Sequence, residues 1–473
     1  MSSFAERYNS KLCASEMFAS AVCNMQCKYC YIPKNEAMKK LHEQIIEGIR
    51  SRKFFDILEG TYGKELKSLS LWGTEPTLIL HEITEALPDM LNRFENLETF
   101  GFSSNMLSHT DRIVNFIEEL AKITDREIKV DLQFSLDGPD YITDNNRKQG
   151  ATEAIIKNVL SVLTSLDKLD LKNIKVDSHF KPTLSIDNIR FYNENVPKLI
   201  DWFKLFDDIY EEFNVSVKNK DKISLATGAA PTFVLPGVYT KSDGEEAKEF
   251  FDNLYFIESL NRRDSLFKYI TRFNNYEGRF SRMVRFHSEI PAKAFMFTCS
   301  GGDANLGIDM NGIAHICHRS FFMMQEEYTE TVSEDLNPEN WDVKIFQTGR
   351  DKVLREKFTA DVSKKEDFLR FTYIMRNYHD FMTFRISQVV HLTKELAFAG
   401  QASQQFLVDD DLCEMFAMFV VTAFSCPAES VAATGVVHFT PVSIIRLLGN
   451  GAFESMFSHY VDRIKKGELN LYV

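Results

Sequence analysis

The feature that most restricts the fold is a repeated change of hydrophobic period along the first 275 residues. Strand-like runs begin with Met17 to Val22, then Leu66 to Trp72 and Thr99 to Ser104. Next, Ile128, Val130, Leu132, Phe134 and Leu136 alternate with polar residues, and Ile174 to Phe180 and Thr232 to Leu235 complete the set. Period-two alternation marks a strand with one buried face. Between these runs apolar residues recur at helical spacing. They are Leu41, Ile45, Ile46 and Ile49, then Ile113, Val114, Phe116, Ile117 and Leu120. Ile155, Ile156, Val159, Leu160 and Leu163 repeat the pattern, and Phe250, Phe251, Leu254 and Ile257 close it. Six strand-then-helix units predict an α/β fold whose parallel sheet has right-handed crossovers. The sheet is either open and doubly wound or a partial barrel. In both, the chemistry gathers at the C-terminal ends of the strands.

Later residues follow other patterns. Ala304 to Cys317 reads as a β-hairpin, with Met310, Asn311 and Gly312 at its turn, since Asn-Gly between strand-like runs favours a tight reversal. Beyond about 360 the chain becomes helical and aromatic-rich. The run around Phe371, Tyr373, Tyr378 and Phe381 reads as helical core packing, with the lining of a substrate cavity as the alternative. Asp409, Asp410 and Asp411 precede a helix and suit its N-terminal dipole. The expected divisions are 1–275 for the α/β core, 276–355 for the hairpin module and 356–473 for a helical C-terminal domain.

Composition sets outer limits. A chain of 473 residues suits two or three domains, and 44% apolar content with 40 Phe supplies a core. A net charge of −13 argues against sequence-independent nucleic-acid binding, which needs Lys and Arg on phosphates. The N-terminal MSSFAERYNSKLC has no apolar run to act as a signal peptide. Met415 to Phe424 is about half of the roughly 20 residues a membrane span needs. The expectation is a soluble, cytoplasmic protein with no membrane partner.

Three of the eight Cys fall within AVCNMQCKYCYIP, as Cys23, Cys27 and Cys30, directly after the first expected strand. So dense a cluster in a long chain points to metal or redox chemistry rather than to a disulfide scaffold. Three thiolates on one short loop can wrap one face of an iron–sulfur cubane, which takes four Cys when fully ligated. No fourth Cys follows nearby, and Cys13 lies across the strand. One iron is then left open, as catalysis requires. A zinc site or inert thiols are the plainer alternatives, but structural zinc wants four closed ligands in paired spacing.

The segment CNMQCKYCY resembles the cysteine motif of radical S-adenosylmethionine enzymes. The resemblance covers roughly residues 15 to 260 and extends weakly to 320. It implies a partial (β/α)6, TIM-like barrel holding a [4Fe–4S] cluster on Cys23, Cys27 and Cys30. It further implies that the open iron binds the amino and carboxylate groups of S-adenosylmethionine. Reductive cleavage then gives a 5′-deoxyadenosyl radical that abstracts hydrogen from a substrate. Tyr29 would lie against the adenine. Gly73, Thr74, Glu75 and Pro76 are similar to the family's Gly-Gly-Glu-Pro turn, with Thr74 where the second Gly usually stands. Glu75 would accept from the methionine ammonium. Ser104 and Asn105 resemble a Thr-Asn-Gly stretch, with Met106 replacing the Gly. Ser135 and Asp137, followed by Asn146 and Arg147, resemble the stretch that closes the fourth strand. Asp137 would accept from ribose hydroxyls or an amine, and Arg147 would clamp a carboxylate. Each of these short motifs is also an ordinary turn when taken alone.

Cys299, Gly312 and Cys317 are spaced like the start of the auxiliary-cluster (SPASM or twitch) domain of radical enzymes that modify peptides and proteins. The dense Cys run of that domain does not follow, and only Cys413 and Cys426 remain further on. Those four thiols could hold one auxiliary iron–sulfur cluster, or the hairpin has kept its fold without metal. His315 and His318 stand nearby as substitutes. Cys413 and Cys426 by themselves read as small buried hydrophobes. The resemblance implies a peptide or protein substrate, and a reductant such as a flavodoxin or ferredoxin. A small-molecule substrate and a non-catalytic iron–sulfur or zinc scaffold are the competing readings.

Overall fold

The computed structural model describes residues 12–30, 32, 34–226, 232–234, 241–270, 305–315, 360–370, 390–391, 393–400, 402–414 and 416. Strands β1 (Ala14–Ser20), β2 (Ser68–Gly73), β3 (Thr99–Ser104), β4 (Ile128–Phe134) and β5 (Ile174–Phe180) pair in parallel, each beside the next. The helices between them are α1 (Glu36–Arg50), α2 (Lys53–Tyr62), α3 (Leu80–Arg93), α4 (Thr110–Ile123), α5 (Asp140–Asn146) and α6 (Ala151–Leu166). After β5 come β6 (Thr183–Ser185), α7 (Ile186–Glu194), α8 (Pro197–Ser216), β7 (Ile223–Leu225), β8 (Thr232–Val234) and α9 (Lys241–Asp264). The hairpin consists of β9 (Asn305–Ile308) and β10 (Ile313–His315), and β11 (Ala360–Asp361) adds to it.

Among the described residues the main sheet has nine strands, in the order β11-β10-β9-β1-β2-β3-β4-β5-β7. From β1 to β7 all neighbours are parallel and the order never reverses. With right-handed crossovers such an order keeps the connecting helices on one face. A doubly wound sheet would reverse direction, so that alternative is set aside.

The expected periodicities translate directly into burial. In α1 the side chain of Asn35 caps Met38 N–H, and Leu41, Ile45 and Ile49 are buried. Ile113, Phe116, Ile117 and Leu120 face inward from α4, as do Ile155, Val159 and Leu163 from α6. On β4 the residues Ile128, Val130, Leu132 and Phe134 are buried, while Lys129, Asp131 and Gln133 are not. β5 repeats this alternation, with Lys175, Asp177 and His179 on its open side. Lys129 pairs with Asp177 at 2.9 Å, and His179 Nδ1 lies 3.5 Å from Asp131. One face of the sheet is therefore apolar and packed, and the other is polar below the strand ends.

Several boundaries differ from expectation. β1 starts and ends earlier than the apolar run, because Ser15 and Glu16 pair on both sides while Ala21 and Val22 leave the ladder. The sixth parallel strand is Ile223–Leu225, too short to show a period. The expected strand at Thr232 instead pairs with β6 in a separate two-stranded sheet. The hairpin turns where Asn311-Gly312 predicts, with Gly312 at φ +76°. It is also joined to the core, since β9 pairs in parallel with β1 over Ala14 to Met17. No helix among the described residues is long and apolar enough to cross a membrane. The aromatic run at Phe371 to Phe381 lies outside the described residues, as do Cys299, Cys317, His318 and Cys426.

Candidate active site

The strand ends β1 to β4 meet at one edge of the sheet, and the Cys triplet, the Gly73–Pro76 turn, Ser104–Asn105 and the Ser135–Asp137 segment lie there. After β1 the chain enters the loop that carries Cys23, Cys27 and Cys30, all partly exposed and none in a disulfide. Met25 N–H donates to Cys23 Sγ at 3.3 Å, and Cys30 N–H to Cys27 O at 3.1 Å. Burial pushes the Cys23 thiol up to about 11, and the nearby Glu75 and Cys27 add to this. Cys27 is raised chiefly by burial, against the pull of the Arg147 guanidinium. Binding a metal at such thiols displaces their protons. Among the described residues no three His, Cys, Asp or Glu side chains converge as on a single metal ion. A cubane distributes its thiolates over separate irons and so suits a wider set.

At the end of β2, Gly73 adopts φ +141°, and a Cβ there would lie 2.1 Å from Ser20 O. Only glycine permits this approach of β2 to β1. Thr74 fastens the start of the Cys loop. Its N–H donates to Ser20 O at 2.9 Å and its hydroxyl to Val22 O. Glu75 is 1% exposed. It accepts from Thr77 Oγ1 at 2.7 Å and from Asn105 N–H at 2.8 Å, while Pro76 opens a single 3-10 turn. Burial pushes its carboxyl up, opposed by the N–H groups of Asn105 and Thr77 and by the hydroxyls of Thr77 and Ser104. Among the described residues these partners are all neutral.

At the end of β3, Ser104 and Asn105 are buried, and Met106 takes φ +58°. The left-handed conformation that glycine favours is therefore kept with a bulky residue. Ser104 Oγ accepts from Met106 N–H at 3.0 Å, and Asn158 Nδ2 donates to Met106 O at 2.7 Å, which holds the turn. Asn105 reaches the Cys loop, donating to Asn24 Oδ1 at 2.8 Å and standing 3.7 Å from Cys23 Sγ.

At the end of β4, Ser135 N–H continues the ladder to Ser104 O at 3.0 Å. Asp137 is fully buried and its carboxylate is clamped by Arg147, Nε at 2.9 Å and Nη2 at 2.8 Å. Tyr29 donates its hydroxyl to the same carboxylate at 2.8 Å, and Thr183 N–H and Asn146 Nδ2 complete its shell. Burial would lower Arg147, but Asp137 and Tyr29 hold it above its ordinary range. Tyr29 is raised by burial and then by Asp137. The carboxylate that Arg147 clamps is thus internal. A Cβ on Gly138, at φ +151°, would meet Trp202 Cδ1 at 2.3 Å, and Trp202 Nε1 donates to Asp137 O at 2.7 Å.

Several residues here were not singled out by sequence. Asn24 and Lys28 look like spacers within the triplet, yet Lys28 N–H donates to Asn146 O at 2.9 Å. Thr77 and Thr183 hold the two buried carboxylates, and Asn188 pairs with Asn146 at 3.0 Å. Other expected candidates lie elsewhere. Cys13, with its carbonyl on Lys67 and Ser68 N–H, occupies the opposite end of β1. Cys413 is buried, with its thiol 3.8 Å from Val390 O, and Asp409 caps Leu412 N–H at 2.9 Å. His315 is buried in the hairpin, 3.7 Å from Asp309.

No family model matches the chain, and no curated protein matches it. Among solved structures it is similar to histidine-tagged anSMEcpe with bound AdoMet, at 15% identity and TM-score 0.39, over 64% of this chain and 74% of that one. Native anSMEcpe with bound AdoMet and Cp18Cys peptide matches at 16% identity and TM-score 0.38, over 78% of this chain and 97% of that one. At that distance the functional reading rests on this chain's own residues.

Proposed function

We propose that the chain is a radical S-adenosylmethionine enzyme on a partial (β/α)6 barrel. One observation carries the reading. Segments far apart in sequence converge at the C-terminal strand ends and bond to the three-Cys loop, through Thr74, Asn105, Asp137 and Asn146. A plain thiol cluster has no need of that surround.

The donor set fits the group. Three thiols on one loop suit three irons of a [4Fe–4S] cluster, leaving the fourth open. The cluster supplies the electron for reductive cleavage of the sulfonium, and with it a carbon radical that abstracts hydrogen from substrate. The protein supplies position and electrostatics. Among the described residues at the strand ends, the buried Asp137 holds a cation, whereas the buried Glu75 meets neutral donors. A buried carboxylate without a cation attracts one, and it keeps lone pairs for further donors. Glu75 is therefore the residue suited to the methionine ammonium. Ser104, Asn105 and Ser135 line the same edge. Gly73 and Pro76 shape the turn beside them.

For the substrate we favour a peptide or a protein side chain, because the β9–β10 hairpin, with its Asn311-Gly312 turn, resembles the start of the auxiliary module of radical enzymes that modify peptides and proteins. A flavodoxin- or ferredoxin-type reductant would supply the electron. Cys299 and Cys317 are retained as candidate ligands of an auxiliary cluster. Anaerobic reconstitution followed by electron paramagnetic resonance tests the core reading. The reduced protein should give a [4Fe–4S] signal whose g values move when S-adenosylmethionine is added. A signal indifferent to the addition would favour the scaffold reading. Mass spectrometry of candidate peptides tests the substrate class, and turnover of a small metabolite with every peptide unmodified would sink it.

A further inference from the structure

We infer that Tyr29 and Lys28 are positioning residues that tie the Cys27–Cys30 gap to the Asp137–Arg147 segment, so that the thiols stand in place before metal arrives. The inference rests on the cluster reading for its purpose, but the tether is geometric. Tyr29 donates its hydroxyl to both Asp137 oxygens, at 2.8 and 3.1 Å. The Arg147 guanidinium sits 5.6 Å from the centre of its ring. Lys28 adds its N–H on Asn146 O at 2.9 Å and its Nζ on Asn145 Oδ1 at 2.6 Å. Both residues of the gap are thus spent on one connection, the one between β4 and α6. Across the loop, Asn24 donates to Ser108 Oγ at 3.0 Å and accepts from Asn105. The two gaps of the triplet are therefore fastened to different strand ends.

The anchor is itself rigid. Asp137 is 0% exposed and the Arg147 side chain 6%, and Asp137 also accepts from Thr183 N–H at 3.1 Å at the start of β6. Asn146 is locked to Asn188, which completes the capping box of α7. A tether set on such a network holds its loop without help from a ligand, which is how a preorganised site is built. The geometry also separates two roles for Tyr29. A ring that only packs on adenine needs no hydroxyl, whereas the tether is the hydroxyl.

Tyr29→Phe in the full chain distinguishes them. In the metal-free protein, alkylation of Cys27 and Cys30 by iodoacetamide should rise by about tenfold, the factor that a hydrogen bond to a charged acceptor contributes. Cys413 should react as in wild type, which reports that the fold is intact. After anaerobic reconstitution the variant should release iron to a chelator faster by a similar factor. Equal alkylation and equal iron release would overturn the inference. Should the variant unfold, hydrogen exchange on metal-free wild type decides instead. The Lys28 amide should be protected, and exchange at the rate of an unstructured peptide would overturn the tether. Wild type that orders this loop but takes up no iron would sink the cluster reading and leave the tether standing.

Discussion

At the scale of single residues, the buried Arg147–Asp137 pair sets the geometry of the fourth strand end. Removing one partner of such a pair leaves a charge stranded, so Arg147→Ala should lose about 3–5 kcal/mol, read by urea denaturation. A loss below about 1 kcal/mol would mean that water or another cation already serves Asp137. Gly138→Ala meets both a forbidden φ and the Trp202 ring and should destabilise by at least about 2 kcal/mol. A melting temperature equal to wild type would contradict that. These contacts show where sequence reading stops. Arg147 was legible as a bidentate clamp because its fork is intrinsic to the residue, but its type does not say whose carboxylate it holds. Asp137, within SLDGP, looked available and is saturated. Met106 looked like a departure, yet Asn158 and Ser104 hold its left-handed turn, and such support from α6 is invisible in a tripeptide.

At the scale of elements, capping supplies a pH-dependent test. Asp144 accepts from Gly150 N–H at 2.6 Å, Thr152 N–H at 2.9 Å and Thr152 Oγ1 at 2.7 Å, and so secures the start of α6. Burial would raise its carboxyl, but these donors hold it below the ordinary range. With the folded value depressed, its stabilisation is present above the unfolded value and is lost as pH falls through the folded one. Asp144→Ala should therefore cost about 1 kcal/mol at neutral pH, and the difference should vanish in acid below the carboxylate range. A difference that persists there would assign the effect to packing. The long helices and five of the parallel strands were legible because their apolar periods run for several turns or rungs. β7 was not, since three residues carry no period. The run at Thr232 was legible as a strand but not as a partner of β6, because pairing across about fifty residues is decided by tertiary contacts.

At the scale of the whole molecule, the hairpin is an extension of the core sheet. β9 covers the β1 edge over Ala14 to Met17, and Met310 reaches Gly48 of α1. A chain ended at residue 300 should expose that edge, associate in light scattering and melt several degrees lower. A monodisperse product with unchanged melting would show the edge to be protected otherwise. The hairpin itself was legible from Asn311-Gly312, whereas its attachment beside β1 was not. The same sheet brings the motifs of four strand ends onto one three-Cys loop, and this convergence is the basis of the functional reading. The most direct test is to reconstitute the full chain without oxygen, add dithionite and S-adenosylmethionine, and quantify 5′-deoxyadenosine against a Cys27→Ala control. Product from wild type alone is predicted. No product from a wild type with confirmed cluster loading, with substrate peptides and alternative reductants supplied, would contradict the account.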